Sequence, residues 1–482
     1  MPSIVAQSSP PPRLTDAHVL AALERFLPQT VIAEVVAEHL PATRRCRKLP
    51  AELTVVLTVA MNLFAHDALI LVVAKLLIGV RLVHPSLCPV LPSKSAISRA
   101  RKRLGSAPVE ALFRRVCVPL ATPATRGASL FGFRLMAIDS TQEIVADTPE
   151  NVRAFGKHRT QYGRSAFPLM LVVYLVECGT HAVCGALLGK GHLAPDALAR
   201  RLVQQVTSEM LVLWDCGLTC YALIAAVRSQ GAHVLCRASS PLFLIPHAGL
   251  PDGSYLASVA AASPSRRTAK TAKLLVRVLV YTLDDPDRPG CGTTHRLITT
   301  LLDPVAFPAR DLVLAYHERW EIEITIDELD THQRPVGRPL RSKTPQGVMQ
   351  EFYGLLLAHY LIRASMHEVA CQAGIDPDRL SFVFALGLTV TLIPLAQGLD
   401  EPARQTMHQT FASDLLRFLL PPRDDRTNPR VIKRRLSKFR RKTKKHRSVS
   451  PRLPFVHAIV LSSMGAALLP HAAHDAAAPL AS

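Results

Sequence analysis

Three acidic residues stand where this chain could set a divalent cation against a phosphate. Asp139 follows the apolar run Leu135-Met136-Ala137-Ile138, and Asp215 follows Leu211-Val212-Leu213-Trp214. In open α/β sheets, sites gather at the carboxyl ends of strands, although single strand-end Asp residues also serve as turn formers. The third acid lies in Tyr316-His317-Glu318-Arg319-Trp320-Glu321-Ile322-Glu323-Ile324-Thr325-Ile326-Asp327-Glu328-Leu329-Asp330. As one helix at roughly 100° per residue, this segment gathers Tyr316, Arg319, Glu323, Asp327 and Asp330 on one face and turns Glu318, Glu321 and Glu328 elsewhere. A Glu beside an Arg and a Tyr hydroxyl suits a joint metal and phosphate site: the carboxylate takes the cation, while Arg and Tyr take phosphate oxygens. The competing reading of so acidic a helix is a surface salt-bridge cluster. Trp320 reads as packed, with base stacking the alternative. Cys216-x3-Cys220 with Cys236 lacks the usual spacing and a fourth ligand for zinc, and reads as core thiols.

Together these blocks resemble a known family. Asp139-Ser140-Thr141, Asp215-Cys216-Gly217-Leu218 and Tyr316-x2-Arg319-x3-Glu323 look like the three blocks of a bacterial insertion-sequence transposase of the DDE class, insertion-element-4 type. Further matching pieces are Asp147-Thr148-Pro149-Glu150-Asn151 with Phe155-Gly156, and Leu340-Arg341-Ser342-Lys343-Thr344-Pro345 with Glu351-Phe352-Tyr353-Gly354-Leu355. The resemblance spans about residues 15 to 400. It implies an α/β fold: an RNase H-like catalytic core interrupted after the second Asp by a mostly β insertion, preceded by an all-helical N-terminal domain. It also implies a catalytic and metal-holding triad of Asp139, Asp215 and Glu323. The implied cofactor is a pair of Mg²⁺ ions, with Mn²⁺ able to substitute. The implied partners are double-stranded DNA, as element terminal repeats and target, and a second copy of the chain on that DNA. The gaps between the acids, 76 and then 108 residues, leave room for the insertion in the second.

The chemistry agrees with those roles. Phosphodiester hydrolysis needs a nucleophilic oxygen near neutral pH and a charge clamp on attacking and leaving oxygens, which two Mg²⁺ ions about 3.5–4 Å apart supply. Asp139 would bridge both ions, with Asp215 and Glu323 each favouring one. Water would free a 3′-hydroxyl at the element end, and that hydroxyl would attack target DNA. A decayed DNA-binding relative that no longer cuts, and a nuclease that never joins, are the alternatives. Two positions depart from the family pattern: Cys216, where a basic residue usually follows the Asp, and Asp330, where the signature ends in Lys. An acid two turns past Glu323, roughly 10.5 Å along the axis, is expected to repel phosphate and to weaken end binding or cleavage relative to an Asp330→Lys variant.

The elements that must position these residues follow from patterning. Residues 1–14 are Pro/Ser-rich and read as disordered, and 15–128 as a helical DNA-binding region. Residues 129–240 read as the first part of the core, 241–308 as a β-rich insertion, 309–420 as the rest of the core with C-terminal helices, and 421–482 as a basic tract and Ala-rich tail. Within the helical region, 94–104 reads as a helix capped by Ser93 or Ser95 and stopped by Gly105. Its stripe Ile97, Ala100, Leu104 turns inward, leaving Lys94, Arg99, Arg101, Lys102 and Arg103 for a duplex, as on a recognition helix; a merely solvated basic helix is the competing reading.

Of the 482 residues, 57 are Lys or Arg against 37 Asp or Glu, a net charge of +20. Arg430 to Arg447 alone carries eleven basic residues and no acid, among them Arg434, Arg435, Lys438, Arg440 and Arg441. Such a run repels itself unless a polyanion neutralises it, so it reads as sequence-independent DNA affinity, with Arg266 to Lys273 a further basic stretch for end recognition. Ten scattered Cys and an N-terminus without a signal peptide suggest a reduced cytosolic compartment rather than secretion; the resemblance implies a bacterial cytoplasm and nucleoid association. The apolar stretches Leu53 to Val80 and Phe382 to Leu399 read as buried helices, not membrane spans.

Overall fold

The computed structural model describes residues 27–41, 49–83, 91–160, 163–239, 242–260, 273–286, 291–396, 399–422 and 452–462. Five helices come first: α1 (Gln29–His39), α2 (Ala51–Leu63), α3 (Leu69–Val83), α4 (Lys94–Leu104) and α5 (Ala107–Val116). They share one apolar core with the later α11 (Pro345–Ala373). Contact with α11 is close: a Cβ on Gly354 would meet the Thr58 carbonyl at 2.7 Å, and Asn62 Nδ2 donates to the Glu351 carbonyl at 3.1 Å.

The strands then build a single eleven-stranded sheet. β1 (Ser129–Leu130) and β2 (Phe133–Ile144) are followed by α6 (Pro149–Phe155) and a separate ribbon of β3 (Arg159–Thr160) and β4 (Gly163–Arg164). β2, β5 (Leu169–Glu177) and β6 (Val183–Lys190) form an antiparallel meander. β7 (Met210–Trp214) then pairs parallel with β2, and β8 (His233–Arg237) parallel with β7. Parallel neighbours need crossovers; α7 (Pro195–Leu202) and α8 (Tyr221–Ser229) provide them. Every residue of β7 is buried, as expected of a parallel strand covered on both faces. The local order is therefore β6-β5-β2-β7-β8.

The β-rich stretch extends this sheet. β9 (Leu244–Gly249), β10 (Tyr255–Ala260), β11 (Lys273–Leu283) and β12 (His295–Thr299) are antiparallel, with β12 joined to β8. α9 (Ala309–His317) and α10 (Trp320–Asp327) follow, then α11, α12 (Phe382–Ala396) and α13 (Glu401–Arg417). A short α14 (Phe455–Ala458) leads into β13 (Ile459–Leu461), which pairs with β11. Within the uncharged run Phe382 to Leu399, Phe382–Ala396 form α12, with Pro394 inside it. Among the described residues, no helix is long and apolar enough to cross a membrane.

Candidate active site

Asp139 lies inside a strand, not just past one. β2 runs on to Ile144 because its polar half keeps pairing with β5, Asp139 opposite Tyr174. Only the parallel neighbour stops, its last rung joining Ala137 to Leu213. Asp139 therefore sits where β2 and β7 part, and Asp215 immediately follows β7. The Asp139 carboxylate accepts from its neighbour Ser140 N at 2.7 Å, and that of Asp215 from Gly217 N at 2.8 Å.

The third block is not one helix. Glu318, Arg319, Glu321 and Ile322 each donate their N–H to the carbonyl three residues back, which tightens the chain between α9 and α10. Beyond Asp327 it widens into a π turn, Glu328–His332, closed by Gln333 N donating to the Glu328 carbonyl at 2.8 Å. Tyr316, Arg319 and Glu323 still meet. Arg319 Nη2 donates to Glu323 Oε1 at 2.9 Å, and its guanidinium lies 5.8 Å from the Tyr316 ring centre. Tyr316 Oη donates to the Trp214 carbonyl at 3.4 Å, tying this block to the strand before Asp215. Burial pushes the Tyr316 hydroxyl pKa up, so it stays a donor.

Asp139 feels Arg319 and Glu323 of this block as well as Asp215. Its carboxyl is pushed up to about 6, first by burial and then by the charges of Asp215 and Glu323, while Ser140 N–H and Arg319 pull it down. Glu323 is 36% exposed, and Arg319 keeps a buried Nε without a partner. Three hard oxygen donors, two of whose charges raise the pKa of the third, are a donor set suited to a divalent cation. Trp320, read from the sequence as packed, is 38% exposed.

Asp327 and Asp330 leave the common face. Asp327 accepts from Thr331 Oγ1 at 2.7 Å, and Asp330 from Arg334 Nη2 at 2.5 Å. The same Nη2 donates to Glu143 Oε2 at 2.6 Å, so Arg334 joins the π turn to the far end of β2. A Lys at 330 would set its ammonium against that guanidinium, so the gain expected of Asp330→Lys gives way to loss of this clamp. Burial, then the Glu143 charge, pushes the Asp330 carboxyl up to about 7. A folded-state pKa above the ordinary value removes stability as pH rises from about 4 to about 7. Asp330→Asn should therefore melt higher than wild type at pH 8 and level with it near pH 4. Thermal melts across that range check this; a variant less stable at pH 8 would show that the ionised form is the stabilising one.

Helix α4 follows its sequence signals. Ser93 caps it, accepting from Ala96 N at 3.2 Å, and Gly105 ends it at φ +72°. Ile97, Ala100 and Leu104 are buried, and Lys94, Arg99, Lys102 and Arg103 are exposed. Arg101 is the correction. Its Nε donates to Gln350 Oε1 at 2.8 Å and its Nη2 to Ser342 Oγ at 2.9 Å, so it fastens α4 to the start of α11 instead of facing a duplex. The auxiliary motif pieces meet at the same joint: Ser342 Oγ donates to Glu351 Oε2 at 2.5 Å, and Thr148 Oγ1 to the Lys343 carbonyl at 2.8 Å. Arg434, Arg435, Lys438, Arg440 and Arg441, residues 266–272, the N-terminal residues 1–14 and the Ala-rich tail lie outside the described residues.

A second cluster escaped the sequence reading. His181, after β5, places Nε2 2.6 Å from Glu321 Oε2 and 3.2 Å from Asp378 Oδ1. Arg363 on α11 binds Glu328 through Nη2 and, at 3.0 Å, through Nε, and His359 Nε2 lies 2.9 Å from Glu328 Oε2. The ligand atoms of His181, Glu321 and Asp378 lie within 4.8 Å of one another, close enough to consider a metal ion. The protons argue otherwise. Arg363 Nη2 lies 2.5 Å from His181 Nδ1, and a guanidinium only donates, so the ring proton is assigned to Nε2, whose lone pair is then unavailable to a metal. The one available signal was Glu321 and Glu328, seven residues apart, on the helix face that also carries the apolar Ile322 and Leu329.

Residues 17–114 match the family model "Insertion element 4 transposase N-terminal", and residues 131–361 match "Transposase DDE domain". The chain is 29% identical over 438 residues to the transposase InsG for insertion sequence element IS4 of Escherichia coli (strain K12), covering 89% of this chain and 96% of that protein. It is 29% identical over 203 residues to the putative transposase InsZ of the same organism, covering 38% of this chain and 63% of that one. A cryo-EM structure of the piggyBac transposase synaptic complex with hairpin DNA aligns at TM-score 0.41 and 12% identity, covering 84% of this chain and 86% of that one.

Proposed function

The chain belongs to the bacterial insertion-sequence transposases of the DDE class, insertion-element-4 type, and on that premise we propose that it cuts DNA at the ends of its element and joins them to target DNA. The observation that carries this reading is the electrostatic meeting of Asp139, Asp215, Glu323 and Arg319 at the point where β2 and β7 part. An RNase H-like core is the matching fold reading: an antiparallel meander of three strands, with the fourth and fifth added parallel beside the first, supports it.

Asp139, Asp215 and Glu323 would hold a pair of Mg²⁺ or Mn²⁺ ions. Such ions supply a nucleophilic oxygen near neutral pH and neutralise charge on the attacking and leaving oxygens. The chain's own part is positional. Ser140 N–H and Gly217 N–H each hold one oxygen of Asp139 and Asp215, leaving the other for a cation. Arg319, already turned toward Glu323 and carrying a spare N–H, would hold a phosphate oxygen beside the reacting bond. The exposed Lys94, Arg99, Lys102 and Arg103 of α4, with the basic tract of residues 430–447, would bind the duplex, and two copies would pair the two ends. The departure at residue 216 leaves an exposed thiol beside Asp215 in place of a cation.

The test is a plasmid carrying the element's ends, incubated with the protein, Mg²⁺ and target DNA. Excised ends joined to target are expected. Binding without breaks would instead assign a decayed DNA-binding protein, and breaks without joining a nuclease.

A further inference from the structure

We propose that the buried charge cluster behind α10 is a positioning device for Glu323, with His181 as its hub. The proposal rests on the reading of Glu323 as a metal ligand. Glu323 rides on an eight-residue helix, entered through three-residue hydrogen bonds and left through a π turn. A helix this short has little stability of its own, and neither end continues as a regular α-helix that would fix its rotation. Rotation is what matters for a ligand. A carboxylate about 6 Å from the axis moves about 2 Å on a 20° turn, whereas metal–ligand distances tolerate about 0.2 Å.

The cluster lies where it can resist that turn. Glu321, two residues before Glu323, points roughly 200° away, into the protein, and is buried. There it meets His181 at 2.6 Å, and His181 also reaches Asp378 at 3.2 Å. Glu328, at the start of the π turn, is held by Arg363 and His359 from α11. Arg363 closes the loop by donating to His181 Nδ1. One imidazole thus links α10, α11, the turn after β5 and the segment around residue 378. Its backbone supports a special role: His181 is one of only two non-glycine residues at positive φ among those described, at +58°. L side chains take up that conformation where their surroundings impose it.

The test measures Mn²⁺ binding by calorimetry on the full chain, with end-DNA affinity and melting temperature alongside. His181→Leu removes both ring hydrogen bonds and is expected to weaken Mn²⁺ binding about tenfold while leaving DNA affinity within about twofold. His181→Gln keeps an N–H near the Nε2 position and should recover most of the loss. A folded His181→Leu protein with wild-type Mn²⁺ affinity would overturn the proposal, whatever its melting temperature. Should that variant fail to fold, Asp378→Ala removes one outer arm of the hub; about threefold weaker Mn²⁺ binding is expected, and unchanged affinity again overturns the proposal. Glu323→Gln separates the two levels. If it leaves Mn²⁺ binding intact, the metal-ligand reading itself fails; if it abolishes binding and the His181 variant does not weaken it, only the positioning role fails.

Discussion

Asp139→Asn is expected to slow strand cleavage at element ends by about 10²–10³-fold or more while DNA-end affinity stays within about twofold. The substitution keeps the side-chain oxygen that accepts from Ser140 N and removes only the charge, so a loss of this size would report cation binding, not folding. Single-turnover cleavage of a labelled end fragment, with a gel-shift measurement on the same protein, checks both halves. Cleavage within tenfold of wild type would remove Asp139 from the chemistry. The pH dependence adds a second readout. The carboxyl without metal is pushed up to about 6 by burial and by the charges of Asp215 and Glu323. A cation must displace that proton, so Mn²⁺ affinity should be nearly level above pH 6 and fall as pH drops below it.

Much of the framework behind this prediction was legible in the sequence. β7 is a five-residue apolar run closed by a polar residue, and nothing in its pattern competes with a buried parallel strand. Helix α4 carries its own cap, its own stop and an unbroken stripe, so its bounds and buried face could be read locally. Illegibility began where tertiary pairing overrode local pattern. Asp139-Ser140-Thr141-Gln142-Glu143 does not look like a strand, yet its rungs to β5 keep it extended. The break at Glu318 and the π turn at Glu328 have no proline or glycine to announce them. Arg101 was indistinguishable in sequence from its basic neighbours, because its partners Ser342 and Gln350 lie more than 240 residues away.

The charge cluster was illegible for the same reason, and it carries the largest expected effect on stability. Burial alone would push the Glu328 carboxyl up; the Arg363 guanidinium, with the hydrogen bond from His359, overrides it and holds the carboxyl well below the usual range. Arg363→Met fills similar volume but leaves that carboxylate buried without its guanidinium, a change expected to cost about 3–5 kcal/mol. Urea denaturation at pH 7.5 measures it, and the pH dependence identifies its source. In the wild type a depressed pKa gives stability that is present above the ordinary carboxylate range and lost on acidification. In the variant the same carboxyl gains by taking up a proton, so its stability rises toward acid. The gap between the two proteins should therefore be widest near neutrality and narrow by pH 5. Adding Glu328→Gln to Arg363→Met removes the unpaired charge and should recover part of the loss at pH 7.5. A gap that is the same at both pH values, with no recovery in the double variant, would mean that Arg363 stabilises the fold by packing alone.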